Sequence, residues 1–534
     1  LLAMGSSNRL DCAEFIGRIR SQPQASRRSW KTGFAFSQAA STSAISEAPT
    51  SGRPRDRLVD MMGFAHHYPC LEANSLTFTS WQFAVFVSGV FALYYWPLVR
   101  PYQVYILVIA SLFFYGFGQP ELLALLAIAV FGTYFFLLKA MVRRKLWLPA
   151  GIAFNLALLA FFKYKLLFVD PSSPALSDVG AIDILLKLPL PIGISFFVFH
   201  NISLLVDMTK RTGPAPSQWD VFLYIIFFPQ LVSGPITRAE NFLPQIQPKF
   251  INEVPFVEAA RWIVTGYFFK LFVANNLNTL TTNMDFPLYH ALRSSDRWLC
   301  LFLYSYQIYA DFFGYSAIAI GLGLLFGYRL PINFNLPYIS QSFAEFWTRW
   351  HISLSTWLRT YLYIPLGGNR DGKGRTYLNL MIVMGLGGLW HGAGLSYLAW
   401  GLMHGLLLVI ERPFLPLIEK LAAIAALRRV IVAARMLVVF LCVSFLWVFF
   451  KLPNFEHAMD YISGMFIDQS VPSPARIYRS LALIYALPVL IQHFITSERL
   501  VALRGNLDPI VYGAMAALML IEAGPDTAFI YFQF

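Results

Sequence analysis

Two histidines stand in stretches rich in apolar and aromatic residues, and either could carry chemistry. The first is His391, in Gly385-Leu386-Gly387-Gly388-Leu389-Trp390-His391-Gly392-Ala393-Gly394. A lone histidine in a helix is usually a satisfied core residue. Five glycines around it at membrane depth argue for close approach of a backbone or an acyl chain instead. Imidazole is the side chain best suited to moving a proton near neutral pH. The second is His351, in the run from Glu345 to Arg359, where Trp347, Trp350 and Trp357 alternate with Arg349, His351 and Ser355. Helical spacing would set Glu345 and Arg349 one turn apart, and likewise His351 and Ser355. The tryptophans could form an interfacial belt, but with charge and imidazole interleaved they equally suit a water-accessible reaction chamber. Asp311 is the third exception, in Tyr309-Ala310-Asp311-Phe312-Phe313-Gly314-Tyr315-Ser316. A carboxylate there needs a partner, and the sequence offers Arg349 or Arg359. A structural ion pair is the leading expectation for it. His404, one helix after His391, is read as structural.

Other chemistries fail on spacing. There is no HExxH and no paired Cys/His set, so metal chemistry has no support. Gly314-Tyr315-Ser316-Ala317-Ile318 lacks the second glycine of a nucleophile elbow. Gly321-Leu322-Gly323-Leu324-Leu325-Phe326-Gly327 has no soluble strand–turn–helix around it, and no phosphate-binding GxxxxGK[ST] occurs. Cys12, Cys70, Cys300 and Cys442 are scattered and read as small hydrophobes rather than disulfides.

The elements that must position these residues are membrane spans. The chain is 57% hydrophobic but only 13% charged, roughly half the charge of an ordinary soluble domain. Its net charge of +12 could suggest nucleic acid. The basic residues, however, sit in short breaks such as Arg143-Arg144-Lys145, where they set topology. Stretches near spanning length fall at 78–98, 102–118, 120–140, 146–162, 190–207, 256–275, 298–328, 377–390, 395–411, 430–450, 479–496 and 508–523, about eleven or twelve in all. The stretch 298–328 is long enough for a bent or double pass. Residues 219–236 and 331–368, broken by prolines and charges, read as re-entrant or interfacial pieces around a cavity. With Arg143-Arg144-Lys145 in the cytoplasm, span 78–98 starts outside and Lys210-Arg211 falls inside. Residues 1–75, rich in Ser, Ala and Arg, are expected to be a disordered extension or a mis-assigned start, and 76–534 the membrane domain.

At these residues the chain resembles the membrane-bound O-acyltransferase superfamily, closest to its alginate O-acetyltransferase branch and akin to the teichoic-acid D-alanyl transfer proteins. The similarity runs from about Leu76 to the end. Its most specific block is Tyr309 to Asn369, joined by PIGISFF at 191–197, FFPQLVSGPITR at 227–238, GGLWHGAG at 387–394 and FIYFQF at 529–534. The resemblance implies an all-α membrane fold with a funnel from each face meeting at a thin partition. It makes His391 the invariant family histidine and His351 the second essential one. Asp311, Arg349, Trp350, Ser355, Trp390, Gly388 and Gly392 are then expected to line or support the site. It further implies an acyl thioester such as acetyl-CoA as donor substrate, with no permanently bound cofactor. The acceptor would be an exported polysaccharide, reached directly or through an SGNH-hydrolase-like periplasmic partner. The place would be the bacterial inner membrane. His200 and Ala310 depart from the family pattern, the first where relatives often carry Gln, the second where they carry an aromatic.

Two rivals remain. Transfer of another acyl group, or transfer to lipid, peptidoglycan or protein, would use the same fold. A transporter without chemistry would use the broken helices and Asp311, and would depend on Asp311 rather than on His391.

Overall fold

The computed structural model describes residues 76–165, 188, 190–211, 213–467, 476–494 and 498–530, so the reading of residues 1–75 lies outside them. No strand occurs among the described residues. The principal helices are α1 (Trp81–Tyr94), α2 (Gln103–Gly116), α3 (Leu122–Val142), α4 (Arg144–Tyr164), α5 (Ile194–Met208), α6 (Gln218–Ile226) and α7 (Phe256–Tyr267). A π-helical stretch, Phe268–Ala274, joins α7 to α8 (Asn275–Thr281). There follow α9 (Ser294–Leu325), α10 (Phe343–Arg349), α11 (Ile352–Leu358), α12 (Gly372–His391), α13 (Leu395–Ala422), α14 (Ala425–Lys451), α15 (Phe455–Phe466), α16 (Arg476–Phe494) and α17 (Glu498–Ile521).

Among the described residues, six helical segments are long and apolar enough to cross a membrane, and four shorter apolar helices accompany them. Helix α3 shows what drives their packing. Leu125, Leu126, Ala129, Val130, Thr133, Leu137 and Ala140 are buried, while Ile128, Phe131, Phe135 and Leu138 are exposed. That is helical periodicity, yet both faces are apolar, because the outer solvent is hydrocarbon rather than water. Water cannot drive such faces together, so polar contacts and close backbones fix the packing. Asn155 of α4 donates to Thr133 of α3 at 3.0 Å, and Asn201 of α5 donates to Asn155 at 2.7 Å. These buried bonds hold α3, α4 and α5 in register.

The expected double pass at 298–328 is instead one unbroken helix of 32 residues, α9, almost wholly buried. Every turn of it has a protein neighbour, so nothing in its surroundings requires a bend. It runs through the middle of the protein, against α7, α8, α14, α15 and α16. Helix α7 meets it where Gly266 and Gly314 face each other; a Cβ on either would lie under 3 Å from the other's carbonyl oxygen. The π-helical stretch begins two residues after Gly266 and turns Lys270 inward.

Residues 219–236 are buried throughout except near their start, with the chain breaking at Phe227 and Phe228. Irregular backbone wrapped in protein is the expected arrangement. Residues 331–368 likewise form short helices and a second π-helical stretch, Arg359–Tyr363.

Helices α12 and α13 form a hairpin with close backbone approach. A Cβ on Gly388 would meet the Tyr397 carbonyl oxygen at 2.2 Å, and one on Gly401 the Met384 carbonyl oxygen at 2.2 Å. Backbone cannot yield as a side-chain tip can. Gly401→Ala should therefore force the two helices apart and cost about 1–3 kcal/mol of stability. A lowered melting temperature of the detergent-solubilised variant checks this.

Candidate active site

Helix α12 delivers His391 at its last residue, where extended Gly392 takes the chain out of the helix. Its ring meets Trp400 of α13 at 5.2 Å between centroids, Phe450 of α14 at 5.0 Å, and its neighbour Trp390 at 4.8 Å. Three helices thus enclose one imidazole. Only 4% of the residue is exposed.

His351 arrives by another route. It caps α11 with φ 43° and ψ 55°, a left-handed conformation that costs a non-glycine residue energy. The flanking chain enforces it: the Asn335 amide donates to Arg349 O at 3.0 Å and the Ile352 amide to Asn333 O at 2.9 Å. Ser353 Oγ donates to Asn333 Oδ1 at 2.6 Å, and Asn333 Nδ2 to Ser316 Oγ on α9 at 2.9 Å. The Ile236 amide donates to the same Ser353 hydroxyl at 3.0 Å. The irregular segment near Ile236, helix α9 and helix α11 are therefore tied through one asparagine. The His351 ring packs edge-on to Phe312 at 4.6 Å and lies 6.3 Å from Trp390.

The two histidines share that Trp390 wall. His351 and Lys163 both lie within electrostatic range of His391. Behind Trp390 stand Phe199, stacked on it at 5.2 Å, and Trp357, stacked on Phe199 at 3.9 Å. The Trp357 indole donates to Phe199 O and Ser203 Oγ. The result is a pair of imidazoles in an aromatic enclosure, each supplied by a different element.

The other expected site residues divide. Gly388 sits at the α12–α13 crossing, and a Cβ on Gly392 would strike the Tyr397 ring at 2.2 Å. Their space is thus taken by the protein's own backbone and ring. Trp350 is buried against Trp447 and Phe334, behind the loop that carries His351. Glu345 and Arg349, one turn apart as the spacing indicates, form a partly exposed ion pair at 2.8 Å. Ser355 donates its hydroxyl to Trp350 O at 3.3 Å. His351, left-handed at the cap of α11, keeps the one-turn spacing, since the Ser355 amide donates to His351 O at 3.0 Å.

Asp311 corrects an expectation. Its partner is neither Arg349 nor Arg359 but Lys270, whose ammonium reaches Asp311 Oδ1 at 2.7 Å, with both side chains buried. Lys270 also donates to Thr527 O at 2.9 Å, and the Ile530 amide donates to Asp311 Oδ2 at 2.8 Å. The glycine-mediated approach of α7 and α9 sets these positions, and no spacing along the chain reveals it. A cavity of about 150 Å³ opens beside this pair, lined by Lys270, Tyr115, Gln119, Tyr315 and Phe529 among others. Tyr315 and Phe529 stack at 4.4 Å, and Phe529 leads through Phe312 to His351. His200, the departure from pattern, accepts at Nε2 from the Thr237 amide at 3.1 Å, a bond within the buried scaffold. His404 is buried between Trp347 and Trp400. Asn333, Ser353 and Lys163 join the site only in the folded protein, because their residue types carry no signal outside their tertiary setting.

Apolar helices of membrane-spanning length surround two enclosed imidazoles, and comparison with known proteins gives the family. The model of the membrane-bound O-acyltransferase family matches residues 109–451, and the chain belongs to that family; it is a multi-pass membrane acyltransferase. A Pseudomonas aeruginosa protein described as a probable alginate O-acetylase is 38% identical over 72% of this chain and 75% of its own length. A Helicobacter pylori peptidoglycan O-acetyltransferase is 34% identical over 67% of this chain and 73% of its own. A Bacillus subtilis teichoic acid D-alanyltransferase is 30% identical over 41% of this chain and 58% of its own.

Proposed function

We propose that this chain takes an acetyl group from a cytoplasmic thioester such as acetyl-CoA and delivers it across the bacterial inner membrane for O-acetylation of an exported polysaccharide. The observation that carries the reading is the convergence of His391 and His351, from α12 and from the cap of α11, on one wall of Trp390. Relatives named for acetyl transfer to alginate and peptidoglycan supply the acyl group and the acceptor class. The fit to an alginate-type polymer rests on the higher identity of those relatives over most of the chain. A periplasmic SGNH-hydrolase-like partner would carry the group onward where the polymer itself does not enter.

The chemistry is an acyl transfer. His391 takes the proton of an acceptor hydroxyl as its oxygen attacks the thioester carbonyl. The carbonyl π electrons move onto oxygen, and His351, donating a hydrogen bond, stabilises that oxyanion or orients the acceptor. Collapse breaks the C–S bond; the thiolate leaves and takes the proton back from the His391 imidazolium. The aromatic enclosure keeps water from competing for the acyl group.

The test is ester-linked acetate on extracellular polymer, measured in a host dependent on this chain. His351→Leu, which removes the donor at similar bulk, should lower ester content by roughly 10- to 100-fold at unchanged membrane level of the protein. Unaltered ester content in cells lacking the chain altogether would end the proposal.

A further inference from the structure

Among the described residues, helix α12 ends at His391 with no following amide folded back onto the Leu389 or Trp390 carbonyl, and Gly392 leaves in extended conformation, φ −171° and ψ 161°. A helix end leaves several carbonyls without partners, and away from water these are costly to abandon. Here two successive residues of another helix reach two of them. Tyr164 Oη donates to Leu389 O at 2.8 Å, and Lys163 Nζ donates to Trp390 O. The same ammonium lies 5.6 Å from the centre of the Trp390 ring. Positive charge at a helix C-terminus also opposes the negative end of the helix dipole.

Lys163 has no carboxylate within 4 Å among the described residues. It sits at the far end of α4 from Arg143, Arg144 and Lys145. In the sequence reading that is the outward side, where topology rules do not ask for a cation. Its position is explained by what it grips. The Asn155–Thr133 and Asn155–Asn201 bonds anchor α4 to its neighbours, so the grip is on fixed ground.

We infer that Lys163 and Tyr164 are positioning residues that hold the uncapped end of α12, and with it the His391 ring, in reacting geometry. The inference rests on the acyl-transfer reading of His391. Loss of either bond frees the last turn of α12, and a displacement near 1 Å at a reacting group can cost about 100-fold in rate.

The experiment measures acyl transfer by membranes holding equal amounts of wild type, Lys163→Met, Lys163→Arg, Tyr164→Phe, Lys163→Met/Tyr164→Phe and His391→Ala. We expect kcat to fall about 10- to 100-fold in Lys163→Met and several-fold in Tyr164→Phe, with KM for the acyl donor unchanged. Lys163→Arg, which can still donate to the Trp390 carbonyl, should recover much of the loss. The double variant should lose less than the product of the single losses, because both residues grip one element. Wild-type kcat in Lys163→Met, or losses that appear in KM alone, would overturn the inference. If Lys163→Met fails to accumulate, Tyr164→Phe and Lys163→Arg decide it: wild-type kcat in Tyr164→Phe together with no activity in folded Lys163→Arg would equally overturn it. Full activity in His391→Ala would instead remove the acyl-transfer reading beneath it, so the two failures are distinguishable.

Discussion

His391→Ala is expected to lower acyl transfer roughly 100- to 10,000-fold, the usual worth of a positioned general base. The ring is enclosed by Trp390, Trp400 and Phe450, so no neighbouring side chain can be substituted for it without repacking three helices. Removing it leaves a hole in the aromatic cage, and some loss of stability is expected alongside the loss of rate. His391→Gln is therefore the companion variant, since it fills more of the space without offering a base. Both variants should reach the membrane, and polymer recovered from either should carry only background ester. A transporter without chemistry would behave in the opposite way: His391→Ala would leave function largely intact.

The second large effect concerns stability rather than rate. Lys270→Met leaves the Asp311 carboxylate buried without its cation, and breaking a buried pair on one side costs about 3–5 kcal/mol. We expect this variant to be depleted from the membrane and to melt well below wild type in detergent. The double variant Lys270→Met/Asp311→Asn should regain much of that loss. It removes both charges, while the asparagine oxygen can still accept from the Ile530 amide that now bonds Asp311. Thermal unfolding of the purified single and double variants measures this. A double variant no more stable than the single would show that the pair is not what holds α9 against the π-helical stretch. Recovery of acyl transfer in the double variant would place Asp311 in the scaffold and deprive the transporter reading of its charged residue.

Much of the candidate site was legible in the residues. His391 and His351 stand out because imidazole in apolar sequence is rare and chemically specific, and both proved to be brought together. The glycines around His391 were legible as points of close approach, though what approaches at Gly388 and Gly392 is helix α13. Asp311 was legible as a charge in need of a partner, and its partner was misplaced. Arg349 was already held by Glu345 one turn away, a local pairing that the spacing allowed. Lys270 lies 41 positions before Asp311, and only the crossing of Gly266 on Gly314 brings it near.

The amino-acid order alone determined that this chain lives in a membrane, which residues could carry a proton there, and where the backbone must break. Each of these follows from residue type or from periods of a few residues, which a linear reading can see. Tertiary structure alone decided which charges meet, that Lys163 and Tyr164 grip the end of α12, and that a left-handed His351 faces the Trp390 wall. In hydrocarbon both faces of a helix can be apolar, so the pattern that points a soluble helix toward its core is missing. Partners are then chosen by small residues and single buried polar bonds far apart along the chain, and those declare themselves only once the helices are packed.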